Sequence, residues 1–259
     1  MNQERILYED QDIIVCHKAA GIATQTARVG QADMVSEVTN YLARTHNNPY
    51  VGVVHRLDQP VEGILVFAAN KQAAAALGRQ MTENRMEKYY YAVVCGNIAK
   101  ENGELTDYLL KDGRANTSRI VPPEVKGAKK AVLKYEILSD RIPAAGFAGR
   151  SSKERSEWKK VPTADQGAFC VALAGIRLLT GRHHQIRVQM SHAGMSLLGD
   201  YKYADAQTVR ISEQLHVKEA ALCAGRLSFT HPRTGRRMDF KIRPDGKIFQ
   251  EEAFSLYYA

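Results

Sequence analysis

The spacing of apolar residues predicts a chain of short strands with a few helices. Apolar residues on both sides of an acidic turn predict a strand pair within residues 6–18. Apolar residues repeated three and four positions apart predict helices over residues 33–44 and 71–84. A third helix is predicted over residues 183–192, ending at Gly194.

Further strands follow from runs of β-branched and aromatic residues. They are predicted over residues 64–68, 89–96, 129–138 and 169–179, with a hairpin over 226–242 around a Pro/Gly turn. Strands and helices do not alternate regularly. The predicted fold class is therefore α+β, with a mostly antiparallel, mixed central sheet and flanking helices.

One stretch lacks any sustained periodicity. Residues 139–166 are rich in Ser, Gly, Pro, Arg and Lys and hold the single tryptophan, Trp158. This composition predicts a basic surface insertion around residues 139–168. The rest of the chain contains no repeat, and we expect one catalytic domain over residues 1–259.

Composition and charge narrow the possible partners. The chain has 259 residues, 44% of them hydrophobic, which excludes a wholly disordered or collagen-like protein. Its net charge is +8, and residues 111–160 hold 13 Lys and Arg against 6 Asp and Glu. Residues 1–110 hold 10 against 13. A polyanionic partner that meets the 111–160 segment fits this distribution, although a positive charge can also serve solubility alone.

Other features point to a reducing compartment. The four cysteines are isolated from one another and lack the spacing of zinc sites, so we expect buried, unpaired thiols: Cys16, Cys95, Cys170 and Cys223. No signal peptide and no apolar run of about 20 residues is present. We therefore expect a soluble cytoplasmic monomer with no membrane contact and no metal.

Two polar clusters and one aromatic run could carry chemistry. His55-Arg56-Leu57-Asp58 stands where a β-rich run enters a loop, and its carboxylate could be a nucleophile, a general base or a turn former. The segment 180–187 could bind phosphate, pair with a buried carboxylate or form a solvated face. In Lys88-Tyr89-Tyr90-Tyr91, strand alternation places Tyr90 on the face opposite its neighbours.

Together these motifs resemble the RluA-type family of RNA pseudouridine synthases. The family sequence His-Arg-Leu-Asp matches residues 55–58, and Gly-Arg-Thr-His-Gln-Ile-Arg matches residues 181–187. Leu-Gly-Asp-x-x-Tyr matches residues 198–203, and Lys-x-Tyr-x-Ala matches residues 88–92. The resemblance implies a pseudouridine synthase-like fold with a catalytic cleft. It begins almost at Met1, so we expect no small N-terminal S4 domain.

The resemblance also implies roles for single residues. Asp58 would be the nucleophile that frees uracil from its ribose, and Arg187 would pair with it and lower its pKa. Tyr90 would stack on the target base and serve a later proton step. Arg56 would fill the gap that the flipped nucleotide leaves. The reaction would require no cofactor.

RNA contacts are expected from residues near these motifs and from the basic insertion. The candidates are His55, Arg56, Arg182, His184, Gln185, Ile186, Lys153, Arg155, Lys159 and Lys160. The RNA partner would be a stem-loop of rRNA or tRNA, recognised by its shape and by unstacked bases.

The sequence departs from the family pattern at five positions. Val61-Glu62 replaces Thr-Ser, His183 replaces Thr or Ser, Gln189 replaces His, and Cys223 stands where His is common. Glu62 adds a negative charge four residues from Asp58. This motivates an alternative, an inactive RNA-binding protein of the same fold.

A metal-dependent hydrolase is a third hypothesis. It would use His183, His184 and His192 as ligands. Adjacent residues on a helix point about 100° apart, so His183 and His184 would chelate poorly.

Overall fold

A computed structural model describes residues 3–26, 30–44, 48–144, 147 and 169–258. By its internal contacts the chain forms two compact units. The first comprises Met1–Lys88 and Ala224–Arg243, and the second comprises Tyr89–Cys223 and Pro244–Ala259. Whether both belong to one catalytic domain over residues 1–259 stays a prediction.

The first unit is a small sheet with two helices. Its elements are β1 (Ile6–Glu9), β2 (Ile13–Lys18), α1 (Met34–Leu42), β3 (Gly52–Val53), β4 (Glu62–Ala68), α2 (Lys71–Thr82), most of β12 (Leu222–Thr230) and β13 (Arg237–Lys241). Strand order is β1-β2-β4-β12, with β3 on β4 and β13 on β12. The strand pair and the hairpin predicted from sequence are both antiparallel here, as expected.

The core of the first unit lies between this sheet and α2. Alternate residues of β2 and β4, among them Ile13, Val15, Ile64 and Val66, pack with Leu77 of α2 and are essentially inaccessible to solvent. Burial of each such side chain contributes about 1.5–3 kcal/mol. The helix repeat in the sequence therefore faces the sheet, as its pattern predicted.

The second unit is a mostly antiparallel sheet with helices beside it. Its elements are most of β5 (Glu87–Asn97), β6 (Asn102–Asp112), β7 (Thr117–Ile120), β8 (Lys129–Ile137), β9 (Ile142–Pro143), β10 (Phe169–Leu178), α3 (Gln185–His192), β11 (Met195–Leu197), α4 (Ala206–Gln214) and α5 (Glu252–Ser255). Strand order is β5-β10-β8-β6-β7, with β11 on β5 and β9 on β10. Val188 of α3 packs on Leu109 and Ala131 of the sheet.

Side chains that cap the helices determine where the first two begin. The Asp33 carboxylate accepts a hydrogen bond from the Ser36 amide at 2.8 Å, and the Asn70 side chain accepts one from Ala73 at 2.8 Å. Each bond satisfies one of the amides that a helix N-terminus leaves without a partner. Both helices therefore begin within a residue of the predicted position.

Gly63 allows β4 and β12 to approach closely. Its φ is +136°, and a Cβ atom at this position would lie 2.5 Å from the backbone nitrogen of Ala224. Any other residue would clash with the neighbouring strand and would also be strained at this φ. The glycine that follows the His55–Asp58 motif is thus required by packing within the first unit.

The predicted insertion begins later than its composition indicated. Ile142–Pro143 forms β9 against Val171 and Cys170 of β10, and the Phe147 ring is buried 5.9 Å from the ring of Phe254. Apolar residues among the Ser, Gly and Arg of this stretch therefore belong to the core of the second unit. The remainder of the insertion lies outside the described residues.

In the part of the chain that the structure describes, no helix is both long enough and apolar enough to cross a membrane. All four cysteines are buried and free, as the sequence predicted.

Candidate active-site residues

Asp58 lies in the loop between β3 and β4, in the first unit. The side chain is partly exposed, between buried Leu57 and exposed Gln59, and Arg56 two residues earlier is exposed to solvent. The Val61 amide donates to the Asp58 carbonyl at 3.1 Å, which closes a tight turn ahead of β4. The loop therefore presents Asp58 and Arg56 while it buries Leu57.

Hydrogen bonds fix the backbone on both sides of Asp58. The Thr24 hydroxyl accepts from the Leu57 amide at 3.1 Å and donates to the Leu57 carbonyl at 2.9 Å. The Gln59 carbonyl accepts from the Gly21 amide at 2.8 Å and from the Lys18 ammonium at 3.1 Å. Asp58 is thus held between two anchored neighbours, which is the preorganisation that a nucleophile requires.

Lys18 joins this loop to the segment that follows β2. Its side chain is fully buried, and its ammonium also donates to the carbonyls of Ala19 at 2.9 Å and Ile22 at 2.6 Å. Three carbonyl oxygens provide hydrogen bonds to a charge that burial would otherwise disfavour. The contact of Lys18 with the Asp58 loop was not predicted from the sequence.

His55 fastens the start of the same loop to β4. Its Nε2 accepts a hydrogen bond from the Val66 amide at 3.2 Å, so this nitrogen carries no proton. Burial, and next the positive charge of Lys88, lower the pKa of His55 from 6.5 to about 3. A neutral imidazole is therefore part of the loop's framework. The predicted contact of His55 with RNA stays a prediction.

The low pKa of His55 predicts a loss of stability in acid. Below pH 6.5 the unfolded chain binds a proton on this histidine, whereas the folded chain does not until about pH 3. Stability should fall as pH decreases through this window, with His55 contributing about 1–2 kcal/mol between pH 7 and pH 5. Urea unfolding followed by circular dichroism at both pH values should show a smaller difference in His55→Gln than in wild type. Exposed His192→Gln is the control, and equal pH dependence in all three proteins would contradict the prediction.

Glu62, the departure closest to Asp58, points into the first unit. Its carboxylate is buried 3.8 Å from Nε2 of His17 on the neighbouring strand. The extra negative charge is therefore not displayed on the surface.

Tyr90 lies on β5 with the alternation that the sequence predicted. The rings of Tyr89 and Tyr91 meet edge to face at 5.4 Å, so these two share one face of the strand, and Tyr90 is buried on the other. The Tyr89 hydroxyl donates to Glu136 at 2.8 Å. Burial and this carboxylate raise the pKa of Tyr89. Tyr89 therefore has a structural role. Contact of Tyr90 with a base stays a prediction.

Arg187 lies in α3, in the second unit, and is buried. Its guanidinium donates two hydrogen bonds to Asp200, from Nε at 2.8 Å and from Nη2 at 2.7 Å, and lies 5.1 Å from the centroid of the Tyr203 ring. The motif that contains Asp200 was matched to the family from sequence, but its pairing with Arg187 was not predicted. The predicted pairing of Arg187 with Asp58, which belongs to the first unit, stays a prediction.

Gln185 and Gln189 attach α3 to the sheet. Gln185 accepts from the Thr180 hydroxyl and from the Arg182 amide, and it donates to Gln189 at 2.9 Å. Gln189, fully buried, donates to the Asp107 carboxylate at 2.7 Å. The amide that replaces the family histidine is therefore hydrogen-bonded, and it helps to hold the helix that carries Arg187.

His183 and His184 precede α3 and use their ring nitrogens within the protein. His184 has φ of 53°, and its Nδ1 is hydrogen-bonded to the Tyr203 hydroxyl at 2.6 Å. The His183 ring stacks on His184 and is hydrogen-bonded to Ser118 at 2.9 Å and Asn116 at 3.1 Å. Burial, then the Arg187 charge, lower the pKa of His184 to about 3. The geometry does not favour the metal-ligand hypothesis for this pair.

Of the remaining residues predicted to contact RNA, the structure describes some and not others. Arg182 is exposed and its Nε donates to the Lys130 carbonyl at 2.9 Å, whereas Ile186 is buried. Four residues of the insertion lie outside the described residues: Lys153, Arg155, Lys159 and Lys160. Contact with RNA stays a prediction for all of these residues, and for His184 and Gln185.

One group in the first unit has the composition of a cation site. Oxygen and nitrogen atoms of Asp10, Asp12 and His231 lie within 4.8 Å of one another. They are already paired: His231 Nε2 lies 2.8 Å from Asp10, and the guanidinium of Arg233 binds Asp12 at 2.6 Å. The group ties the β1–β2 turn to the β12–β13 turn.

The fold places the protein among pseudouridylate synthase domains. Two solved structures that match are the human proteins named RNA Pseudouridylate Synthase Domain Containing 1 and RNA Pseudouridylate Synthase Domain Containing 4. Each has a TM-score of 0.68, and each match covers 96% of this chain. The matches cover 86% and 91% of those two chains, at 21% and 20% sequence identity. The predicted pseudouridine synthase-like α+β fold is confirmed.

The sequence places the chain more narrowly. Residues 12–192 match the RNA pseudouridylate synthase family, and the chain belongs to this family. It is 32% identical to tRNA pseudouridine synthase C of Haemophilus ducreyi over 88% of this chain and 86% of that protein. It is 30% identical to the dual-specificity RNA pseudouridine synthase RluA of Haemophilus influenzae over 93% of both chains. The RluA-type resemblance and the predicted enzyme class, an RNA pseudouridine synthase, are confirmed.

Proposed function

We propose that this protein isomerises a specific uridine in a structured tRNA or rRNA to pseudouridine, with Asp58 as the nucleophile. The observation that carries the proposal is the Asp58 loop, in which Leu57 and Gln59 are fixed and the carboxylate between them is partly exposed. A carboxylate can attack the nucleoside and leave again without a cofactor. The matched family region, residues 12–192, includes this loop.

Three further residues complete the proposal. Tyr90 stacks on the target uracil and takes part in the proton step that follows reattachment through carbon. Arg187, held rigidly by Asp200, provides the positive charge that keeps the Asp58 carboxylate ionised. Exposed Arg56 occupies the space of the flipped nucleotide, where stacking worth about 1–3 kcal/mol per base offsets part of the cost of flipping.

The activity is tested by tritium release from RNA labelled at carbon 5 of uridine. Forming the new carbon–carbon bond displaces the hydrogen at this position, so wild-type protein should release tritium from unmodified tRNA or rRNA transcripts. Absence of release from every transcript, with RNA binding retained, would instead support a binding protein.

The proton step at Tyr90 can be separated from stacking by two substitutions. Tyr90→Phe keeps the ring and should lower tritium release by about 100-fold or more, because the hydroxyl is lost. Tyr90→Leu should in addition raise KM, because stacking is lost. Tyr91→Phe, on the opposite face of β5, is the matched control and should retain wild-type release. If Tyr90→Phe reacted as fast as the control, the role of the hydroxyl would be wrong.

The proposal extends to partner and location. The relatives named above include one enzyme for tRNA and one of dual specificity, which supports a tRNA or rRNA stem-loop as the substrate. Four buried free cysteines are typical of a reducing compartment, which supports a cytoplasmic location. We propose a monomer that acts without metal or cofactor.

A further inference from the structure

Three segments of the second unit meet around the His183 ring. The ring is hydrogen-bonded to Ser118 at 2.9 Å and to Asn116 at 3.1 Å, both at the end of the β6–β7 hairpin. The Asn116 carbonyl accepts from the Lys202 ammonium at 2.9 Å, and the Ser118 amide donates to the Tyr203 hydroxyl at 2.9 Å. The hairpin tip, the turn before α3 and the turn after Asp200 are therefore held together.

Each of these segments displays exposed cations. Lys111 and Arg114 belong to the hairpin, Arg182 to the turn before α3, and Lys202 to the turn after Asp200. Lys111 and Lys202 are close enough to His184 to contribute to its lowered pKa. We call these four residues the hairpin-tip patch. The hydrogen bonds around His183 hold together the segments that carry them.

Nearby carboxylates do not neutralise the patch. Asp107 is hydrogen-bonded to Gln189, and Asp200 is paired with Arg187. Asp112 accepts from the amides of Arg114 and Ala115 and is the one acidic residue within the hairpin tip. Within the described residues, no cation of the hairpin-tip patch forms an ion pair with a carboxylate. A surface that keeps several cations on a rigid frame without counterions is suited to a polyanion.

We infer that the hairpin-tip patch binds the phosphate backbone of the RNA substrate, in the stem next to the modified nucleotide. The inference rests on the proposed function, which makes RNA the polyanion that the patch binds. It assigns contacts to Lys111 and Lys202, on the β6–β7 hairpin and the turn after Asp200, in addition to those expected from the 139–168 insertion. Phosphate contacts of this kind determine position rather than sequence preference.

The test compares two double variants of the full chain. Lys111→Gln/Lys202→Gln removes two patch charges, and Lys71→Gln/Lys241→Gln removes two exposed charges from the first unit. Dissociation constants for an unmodified tRNA transcript are measured by filter binding between 50 and 300 mM salt. The patch variant should bind about tenfold more weakly at low salt, and its slope of log Kd against log salt should be smaller by about 1.5. The control pair should retain the wild-type slope.

Equal slopes for the two double variants would overturn the inference, since only the total charge would then matter. Lys111→Gln alone leaves the bond from Lys202 to Asn116 in place, and it should show about half of the effect. Wild-type tritium release is measured with the same preparations. Release by wild type with an unchanged slope in the patch variant rejects the patch and keeps the proposed function. A changed slope without release by wild type rejects the function alone.

Discussion

Replacing Asp58 by alanine is expected to abolish pseudouridine formation while the protein still folds and binds RNA. The side chain is partly exposed, so its removal leaves no large cavity, and the loop is held by backbone contacts of Leu57 and Gln59 rather than by the carboxylate alone. Losing a nucleophile removes the covalent route entirely, which should lower the rate by at least about a thousandfold. Tritium release from labelled transcripts measures the rate, and filter binding measures affinity for RNA.

Two variants make this prediction specific. Asp58→Asn keeps the shape of the side chain but not its charge, and it should be as inactive as Asp58→Ala. Glu62→Gln changes the carboxylate four residues after Asp58, which is buried beside His17, and it should keep activity within about tenfold of wild type. Pseudouridine formed by Asp58→Ala would refute the assignment, and loss of activity in Glu62→Gln alone would transfer the role to Glu62.

Sequence patterns predicted the helices and strands in which buried residues recur at regular intervals. The helices α1 and α2 and the strands β2, β4, β8 and β10 lie within a few residues of their predicted bounds. In each of these, apolar residues recur with the period of the element because one face or both faces are buried. No element was predicted over residues 102–120, where β6 and β7 form. Most residues of β6 are exposed or half-buried, so its sequence lacks a strong apolar pattern.

Family motifs located the candidate residues but not their supporting contacts. Asp58, Tyr90 and Arg187 were predicted from ordered motifs, and the opposite orientation of Tyr90 followed from strand alternation. The partners Thr24 and Asp200 were not assigned. Contacts such as Thr24 to Leu57 join residues 33 positions apart, and no local pattern encodes them. The motifs therefore indicated the candidate residues more completely than the contacts that hold them.

Variants of the Arg187–Asp200 pair are expected to distinguish an effect on stability from an effect on catalysis. Both side chains are almost fully buried, with exposed fractions of 5% and 1%, and the bonds are bidentate. Removing one partner leaves the other charge buried and uncompensated, so Arg187→Met should lower the free energy of unfolding by about 3–5 kcal/mol. Asp200→Asn should do the same, because the guanidinium then lacks its counterion. Urea unfolding followed by circular dichroism measures both losses.

The double variant distinguishes a framework role from a role in the reaction. Arg187→Met with Asp200→Asn removes both charges, so its loss of stability should be smaller than the sum of the two single losses. Activity, measured at a temperature where every variant is folded, should not return in the double variant if the guanidinium keeps Asp58 ionised. Asp200→Asn alone retains the guanidinium and should keep measurable activity. Arg187→Lys retains the charge without the bidentate geometry and should fall between these limits. Recovery of activity together with stability in the double variant would show that Arg187 acts only as the partner of Asp200.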